Sequence, residues 1–304
     1  MIKIIVLYLF LFFCIIPSIF YKKTKKLLTL NVGYYMLGGD FVKEANKNME
    51  IICRKILNKI SSYDVDIICT QEDLLVTNSF YPIFENIYKE YGYKVINYCE
   101  SHPKLIKEKY IIENYGTAKL GNVIYSRDKN VIKGINIPDL DVGHKGCNIK
   151  PRCATSILLN GIKIYNTHLC GGRFDDKDVV EKKVSIDARD NQVKNMINMG
   201  ADIILGDLNA GYSDDYRFAR SLSKNFDKDS FKRWREGVIE YLFENGYKSA
   251  YQNYKNSETT IRGKYVVDWV FYKNVNIGKV EIIKFWGDIE MLADHHGILV
   301  EIIF

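Results

Sequence analysis

Six polar groups interrupt or terminate apolar runs in this 304-residue sequence: Asn31, Gln71-Glu72-Asp73, His168, Gly206-Asp207-Leu208-Asn209, Asp268 and Asp294-His295. Glu72, Asp207 and Asp294 are hard oxygen donors suited to Mg²⁺ or Mn²⁺, ions that take one or two carboxylates and leave room for water and a phosphate. His168 and His295 supply an acid and a base that titrate near neutrality. Asp268 lies inside Val266-Val-Asp-Trp-Val-Phe271, where a carboxylate is costly to bury alone, so a histidine or a metal is expected beside it. Zinc is disfavoured, because the five histidines lack H-E-x-x-H spacing and no C-x-x-C occurs.

Elements that could position these groups follow from periodicity. Leu27–Val32 and Val65–Thr70 read as strands, and between them Phe41, Ala45, Met49, Ile52, Ile56 and Ile60 share one face of a helix opened by Asp40. Further strands are expected at Tyr93–Tyr98, Gly121–Arg127, Arg152–Leu159, Gly161–Thr167, Asp202–Leu205, Tyr265–Tyr272, Lys279–Phe285 and Ile298–Ile303. Helices are expected at Pro82–Tyr91, Val179–Met199 and Phe231–Glu244. Strands with few, long helices and no linker or repeat indicate one α/β domain over residues 27–304, with two sheets packed together and helices outside. Polar side chains gathered where several strands end are how such scaffolds build active sites.

Charge is uneven along the chain. Residues 1–26 carry five lysines and no acid, leaving 38 basic and 37 acidic residues in the remainder, so bulk charge gives no argument for a nucleic-acid partner. Ile4–Phe20 is a 17-residue run without a charge, short for a bilayer span, with one lysine before it and Lys22, Lys23, Lys25 and Lys26 after it. No A-x-A cleavage site follows the run, so residues 1–26 read as an uncleaved single-pass anchor, and the lysine count places the domain on the cytoplasmic side. Cleavage after Ser18 would instead give a secreted domain. The seven cysteines fit neither a dense disulfide framework nor a metal site; most are expected as buried thiols, with Cys147–Cys153 the pair considered for a bridge.

Taken in order, Asn31, Gln71-Glu72, Thr167-His168-Leu169, Gly206-Asp207-Leu208-Asn209, Asp268-Trp269 and Asp294-His295 resemble the signatures of the endonuclease/exonuclease/phosphatase superfamily, the deoxyribonuclease-I-like fold. Gly121-Asn-Val-Ile-Tyr-Ser-Arg127 and Arg152-Cys-Ala resemble two further strands of that family. The resemblance implies a four-layer α/β sandwich with two central sheets flanked by helices, and Mg²⁺-dependent hydrolysis of a phosphoester. It implies that Glu72 binds the metal with Asn31 and Asp294 nearby, and that Asp207 and Asn209 orient the water and the scissile phosphate. His295 would then be the general base held by Asp268, His168 a donor to the phosphate, and Arg152 a phosphate contact. The last motif departs from the family's Ser-Asp-His, reading Ala293-Asp294-His295-His296, and Gly33 replaces the acidic residue of the abasic-site-repair subgroup.

The function expected from this reading is a divalent-metal-dependent phosphodiesterase, foremost a nuclease acting on nucleic acid. A membrane-directed phosphoesterase, sphingomyelinase-like or a phosphoinositide phosphatase, is the alternative within enzymes, since residues 4–20 would hold the domain at a bilayer. A non-catalytic relative of the fold is the third. Substrate choice is expected in the loops 100–118, 139–151 and 211–262; aromatics there such as Tyr212, Tyr216 and Tyr254 could stack on bases or meet lipid but read mostly as packing residues, and Arg173, in a glycine-rich turn, reads as a surface-loop residue before a substrate contact. No protein partner is inferable.

Overall fold

The computed structural model describes residues 23–33, 49–79, 81–106, 109–137, 152–169, 179–211, 228–251, 266–286 and 292–304. Among the described residues twelve strands form two six-stranded sheets. The first contains β1 (Thr24–Asn31), β2 (Ile67–Val76), β3 (Lys94–Ile106), β4 (Ala118–Ser126), β11 (Asn276–Ile283) and β12 (Gly297–Ile303), in the order β11-β12-β1-β2-β4-β3. The second contains β5 (Val131–Lys133), β6 (Ala154–Leu159), β7 (Ile162–His168), β8 (Ile203–Asp207), β9 (Lys248–Ser249) and β10 (Asp268–Tyr272), in the order β5-β6-β7-β8-β10-β9. Each sheet has one parallel pair, β1 with β2 and β7 with β8, and antiparallel neighbours elsewhere.

Side-chain alternation produces the layers, because successive strand residues face opposite ways. Leu27, Ile67 and Cys69 enter an inter-sheet core with Ile124, Ile157, Ile164, Ile203, Leu205, Val270 and Ile298. Their neighbours Leu28 and Ile68 face outward, onto Met49, Cys53, Ile56, Leu57 and Ile60 of α1 (Met49–Ser61) and onto α2 (Glu85–Glu90). On the other side Ile204, Trp269 and Phe271 pack against α4 (Val179–Asn198) and α5 (Lys228–Glu244). The result is the four-layer sandwich expected.

Several boundaries differ from the sequence reading. β2 continues six residues past Thr70, and β3 runs on to Ile106, followed by α3 (Lys109–Tyr115), so much of the expected loop 100–118 is regular structure. The short strands β5 and β9 carry too few residues for periodicity to reveal. β1 begins at Thr24, three residues before the expected domain start at Leu27. Thr24, Lys25 and Lys26 pair with Ile303, Ile302 and Glu301 of β12. Lys25 forms ion pairs with Asp66 at 3.1 Å and Asp128 at 2.8 Å, and Lys26 Nζ donates to the Tyr63 carbonyl at 2.9 Å, so both lysines are engaged with the folded domain.

The bridge considered for Cys153 is also different. Cys153, just before β6, is joined to Cys99 on β3, a covalent link between the two sheets. Cys53 and Cys69 are buried free thiols, as expected of most cysteines, while Cys14, Cys147 and Cys170 lie outside the described residues. Among the described residues no helix is long and apolar enough to cross a membrane. Ile4–Phe20, the loops 139–151, 212–227 and 252–262, and Arg173 also lie outside them.

Candidate active site

All nine candidate residues of the sequence reading are described, and they collect at one end of the two sheets. Parallel strands β1, β7 and β8 end there, delivering Asn31, His168 and Asp207, while antiparallel β10 and β12 begin there, delivering Asp268 and the preceding Asp294-His295. His168, Asp207 and Asp268 are neighbours across β7, β8 and β10, paired in register. Gly206, at φ 127°, permits this crossing, since a Cβ there would collide with the Thr167 carbonyl.

Glu72 reaches the site differently from its expected place just beyond a strand. It sits inside β2 where the register with β4 shifts between Thr70 and Asp73, and it adopts φ 53°. This bulge turns one side chain out of the alternation and toward the site. Both flanking residues are anchored: Gln71 Nε2 donates to Asn166 Oδ1 at 2.6 Å, and Asp73 Oδ2 accepts from Thr70 Oγ1 at 2.7 Å and Tyr125 OH at 2.9 Å.

The core of the site is a chain of polar contacts. His295 Nδ1 lies 2.8 Å from Asp268 Oδ2, and Asp268 is fully buried, so the partner required by its apolar strand is a histidine. The other His295 nitrogen, Nε2, is 3.9 Å from Asp207 Oδ2, and His168 Nε2 is 3.5 Å from the same oxygen. Asn31 Nδ2 donates to Asp207 Oδ2 at 3.0 Å, while the Asn209 amide donates to Asp207 Oδ1 at 2.8 Å. His168 Nδ1 is 3.8 Å from Glu72 Oε1.

Electrostatics differ among the carboxylates. Burial would raise Asp207, but the His168 and His295 charges, the Asn209 amide and Asn31 hold it below its ordinary value. Glu72 is pushed up to about 7, first by burial and then by the Asp294 charge, with Asp207 adding to the rise and His295 and Arg152 opposing it. The 22% of its side chain still reached by solvent works against that shift. Burial would lower His295, yet the charge and hydrogen bond of Asp268, with Asp207 and Asp294, raise it to about 10.

Two buried polar atoms point to what the site accepts. Asp294 Oδ1 has no hydrogen-bond partner, and a Cβ on Gly33 would stand 2.6 Å from it, so the absent side chain at Gly33 leaves this oxygen its room. Arg152 is buried with its Nε unpartnered. An acceptor and a donor left unmatched in one site suit a cation and an anion respectively. Asp207, Asp268 and His295 also bring ligand atoms within 4.8 Å of one another, a grouping able to hold a metal. The 2.8 Å contact between Asp268 and His295 already occupies one atom of each.

No family model matches the chain, and no curated protein matches it. Solved structures do. One is an endonuclease/exonuclease/phosphatase family protein from Leptotrichia buccalis, 16% identical with a TM-score of 0.58, covering 92% of this chain and 100% of that one. Another is the 3′ phosphatase NExo from Neisseria bound to product DNA hairpin, 14% identical with a TM-score of 0.58, covering 91% and 99%. A third is an AP endonuclease from Archaeoglobus fulgidus, 14% identical with a TM-score of 0.54, covering 91% and 98%. The architecture is therefore the endonuclease/exonuclease/phosphatase fold, as the ordered motifs implied. Proteins similar to this chain in fold include nucleases and phosphatases.

Proposed function

We infer that the chain is a divalent-metal-dependent phosphodiester hydrolase that cuts nucleic acid. The observation that carries this reading is the convergence of the Asp268–His295 pair, Asp207 and His168 beside the unmatched Asp294 Oδ1 and Arg152 Nε. A phosphodiester is anionic and repels hydroxide, so a hydrolase must neutralise charge, hold a water in line and remove its proton.

Glu72 and Asp294 would hold Mg²⁺ or Mn²⁺; the ion, when bound, supplies positive charge against the phosphate. Asn31 and Asp207 orient the groups around the attacked phosphorus, and Asn209 fixes the Asp207 carboxylate through its amide. Arg152 and His168 donate to phosphate oxygens. His295 takes the proton of the attacking water at Nε2, with Asp268 holding Nδ1 and stabilising the imidazolium that forms. For that role His295 must start neutral, which the charge and hydrogen bond of Asp268, with Asp207 and Asp294, oppose by raising it to about 10, so turnover is favoured at alkaline pH.

The test is nicking of supercoiled plasmid by the full-length protein with Mg²⁺, alongside His295→Ala and EDTA controls. Nicking lost in both controls supports the reading. Intact plasmid with single-stranded DNA and RNA also uncut would overturn it, and cleavage of phosphoinositide or sphingomyelin in vesicles would then assign the membrane-directed alternative.

A further inference from the structure

Arg189 occupies the middle of α4, where nothing in the sequence distinguishes it from a surface arginine, yet it is only 1% exposed. A guanidinium so deeply buried is costly unless its donors are used. Its Nη2 donates to the Asn209 carbonyl at 2.8 Å and approaches the Leu208 carbonyl at 3.4 Å. These belong to successive residues of the segment Gly206–Ala210, which leaves β8 carrying Asp207 and Asn209 into the site.

That segment is pinned at nearly every polar atom. The Leu208 amide donates to the Val267 carbonyl at 2.9 Å, the Asn209 amide to Asp207 Oδ1 at 2.8 Å, and Asn209 Nδ2 to the Leu169 carbonyl at 2.9 Å. The Trp269 indole donates to the Ala210 carbonyl at 2.7 Å. Asn209 itself sits at φ 48°, a left-handed conformation that a non-glycine residue keeps only when its surroundings impose it. Arg189 is the cationic member of this set, the one that takes up the Asn209 carbonyl and thereby sets the peptide plane following the catalytic asparagine. The next residue makes a separate contact: Asp190 pairs with Arg233 of α5, holding the two helices together.

We propose that Arg189 is a positioning residue of the active site, clamping the backbone of Leu208 and Asn209 so that Asp207 and Asn209 keep their alignment toward the reacting phosphate. The inference rests on the phosphodiesterase reading for its effect on turnover, and stands on the structure alone for its effect on the segment.

Arg189→Lys and Arg189→Ala are made in the full-length protein, with Arg233→Met as a control that loosens α4 from α5 without touching Gly206–Ala210. The readouts are kcat and KM on whichever phosphodiester the wild type hydrolyses, thermal midpoint, and the indole N–H resonance of Trp269. Loss of the clamp lowers kcat by ~10- to 100-fold with KM little changed, since small misalignments of supporting groups cost about that much. The Trp269 resonance shifts in both Arg189 variants, and millimolar guanidinium restores part of the rate to Arg189→Ala while leaving the wild type unaffected. Arg233→Met lowers the midpoint alone.

Arg189 variants that lose only thermal stability, with kcat and the Trp269 resonance unmoved, would overturn the proposal. If Arg189→Ala does not fold, Arg189→Lys decides. A wild type without phosphodiesterase activity would sink the functional reading, and the Trp269 resonance would still decide whether Arg189 holds the segment.

Discussion

His295 bridges two carboxylates unequally: Nδ1 lies 2.8 Å from Asp268 Oδ2, whereas Nε2 lies 3.9 Å from Asp207 Oδ2. The short contact fixes the ring, and the longer separation leaves Nε2 as the nitrogen that would act as base in the proposed hydrolysis. Asp268→Asn keeps the shape and removes the charge. It should lower kcat by about 10²–10⁴-fold, the usual range for a disabled general base. It should also bring the His295 titration down from about 10, as followed by NMR of the imidazole. An unchanged rate would remove His295 from the chemistry.

Glu72 makes a pH-dependent contribution to stability. Its folded-state value of about 7 lies above the ordinary 4.5, so the folded protein holds this proton more tightly than the unfolded chain. The resulting stabilisation is complete below the ordinary value and is lost as pH rises through about 7. Glu72→Gln should therefore raise the melting temperature of the metal-free protein at about pH 8 and change it much less near pH 4. Added Mg²⁺ should stabilise the wild type more than the variant, through ligand linkage. A variant no more stable than wild type at the higher pH would contradict the electrostatic account.

The Cys99–Cys153 bridge spans 54 residues of sequence. A loop of that size restricts the unfolded chain by ~4 kcal/mol in the chain-entropy description, with measured effects usually nearer ~2–4 kcal/mol. Replacing both cysteines by serine should lower the denaturation midpoint accordingly, and an equal midpoint would show that the link is not formed in solution.

A chain starting at Leu27 loses three register pairs between β1 and β12 and the Lys25 ion pairs with Asp66 and Asp128. One starting at Lys23 keeps them, including the bond from the Phe304 amide to the Lys23 carbonyl. The longer form should melt at a clearly higher temperature. Matching melting curves would mean that residues 24–26 add nothing to the sheet.

Much of the site was legible because its residues violate the rules of their surroundings. A carboxylate in Val266–Phe271 and polar groups closing apolar strands are conspicuous against a core, and their order along the chain carried the fold. The bulge at Glu72 was hidden, since Gln71-Glu72-Asp73 looks like a strand running out and only the resumed pairing of Asp73 with Gly121 shows otherwise. Arg189 was hidden for the opposite reason: its helix reads as charged along most of its length, and burial comes from α5 and the segment after β8, which are distant in sequence. The partner of Cys153 likewise depended on the contact of β3 with β6, which no local pattern encodes.

β1 runs from Thr24 to Asn31, so its two ends lie ~23 Å apart at the usual strand rise. Thr24, where the sheet receives the preceding chain, is therefore far from Asn31 and the residues gathered around it. A label or fusion attached just before Lys23 would sit at the opposite end of the sheet from the candidate site, so N-terminal immobilisation should leave that end accessible to a substrate.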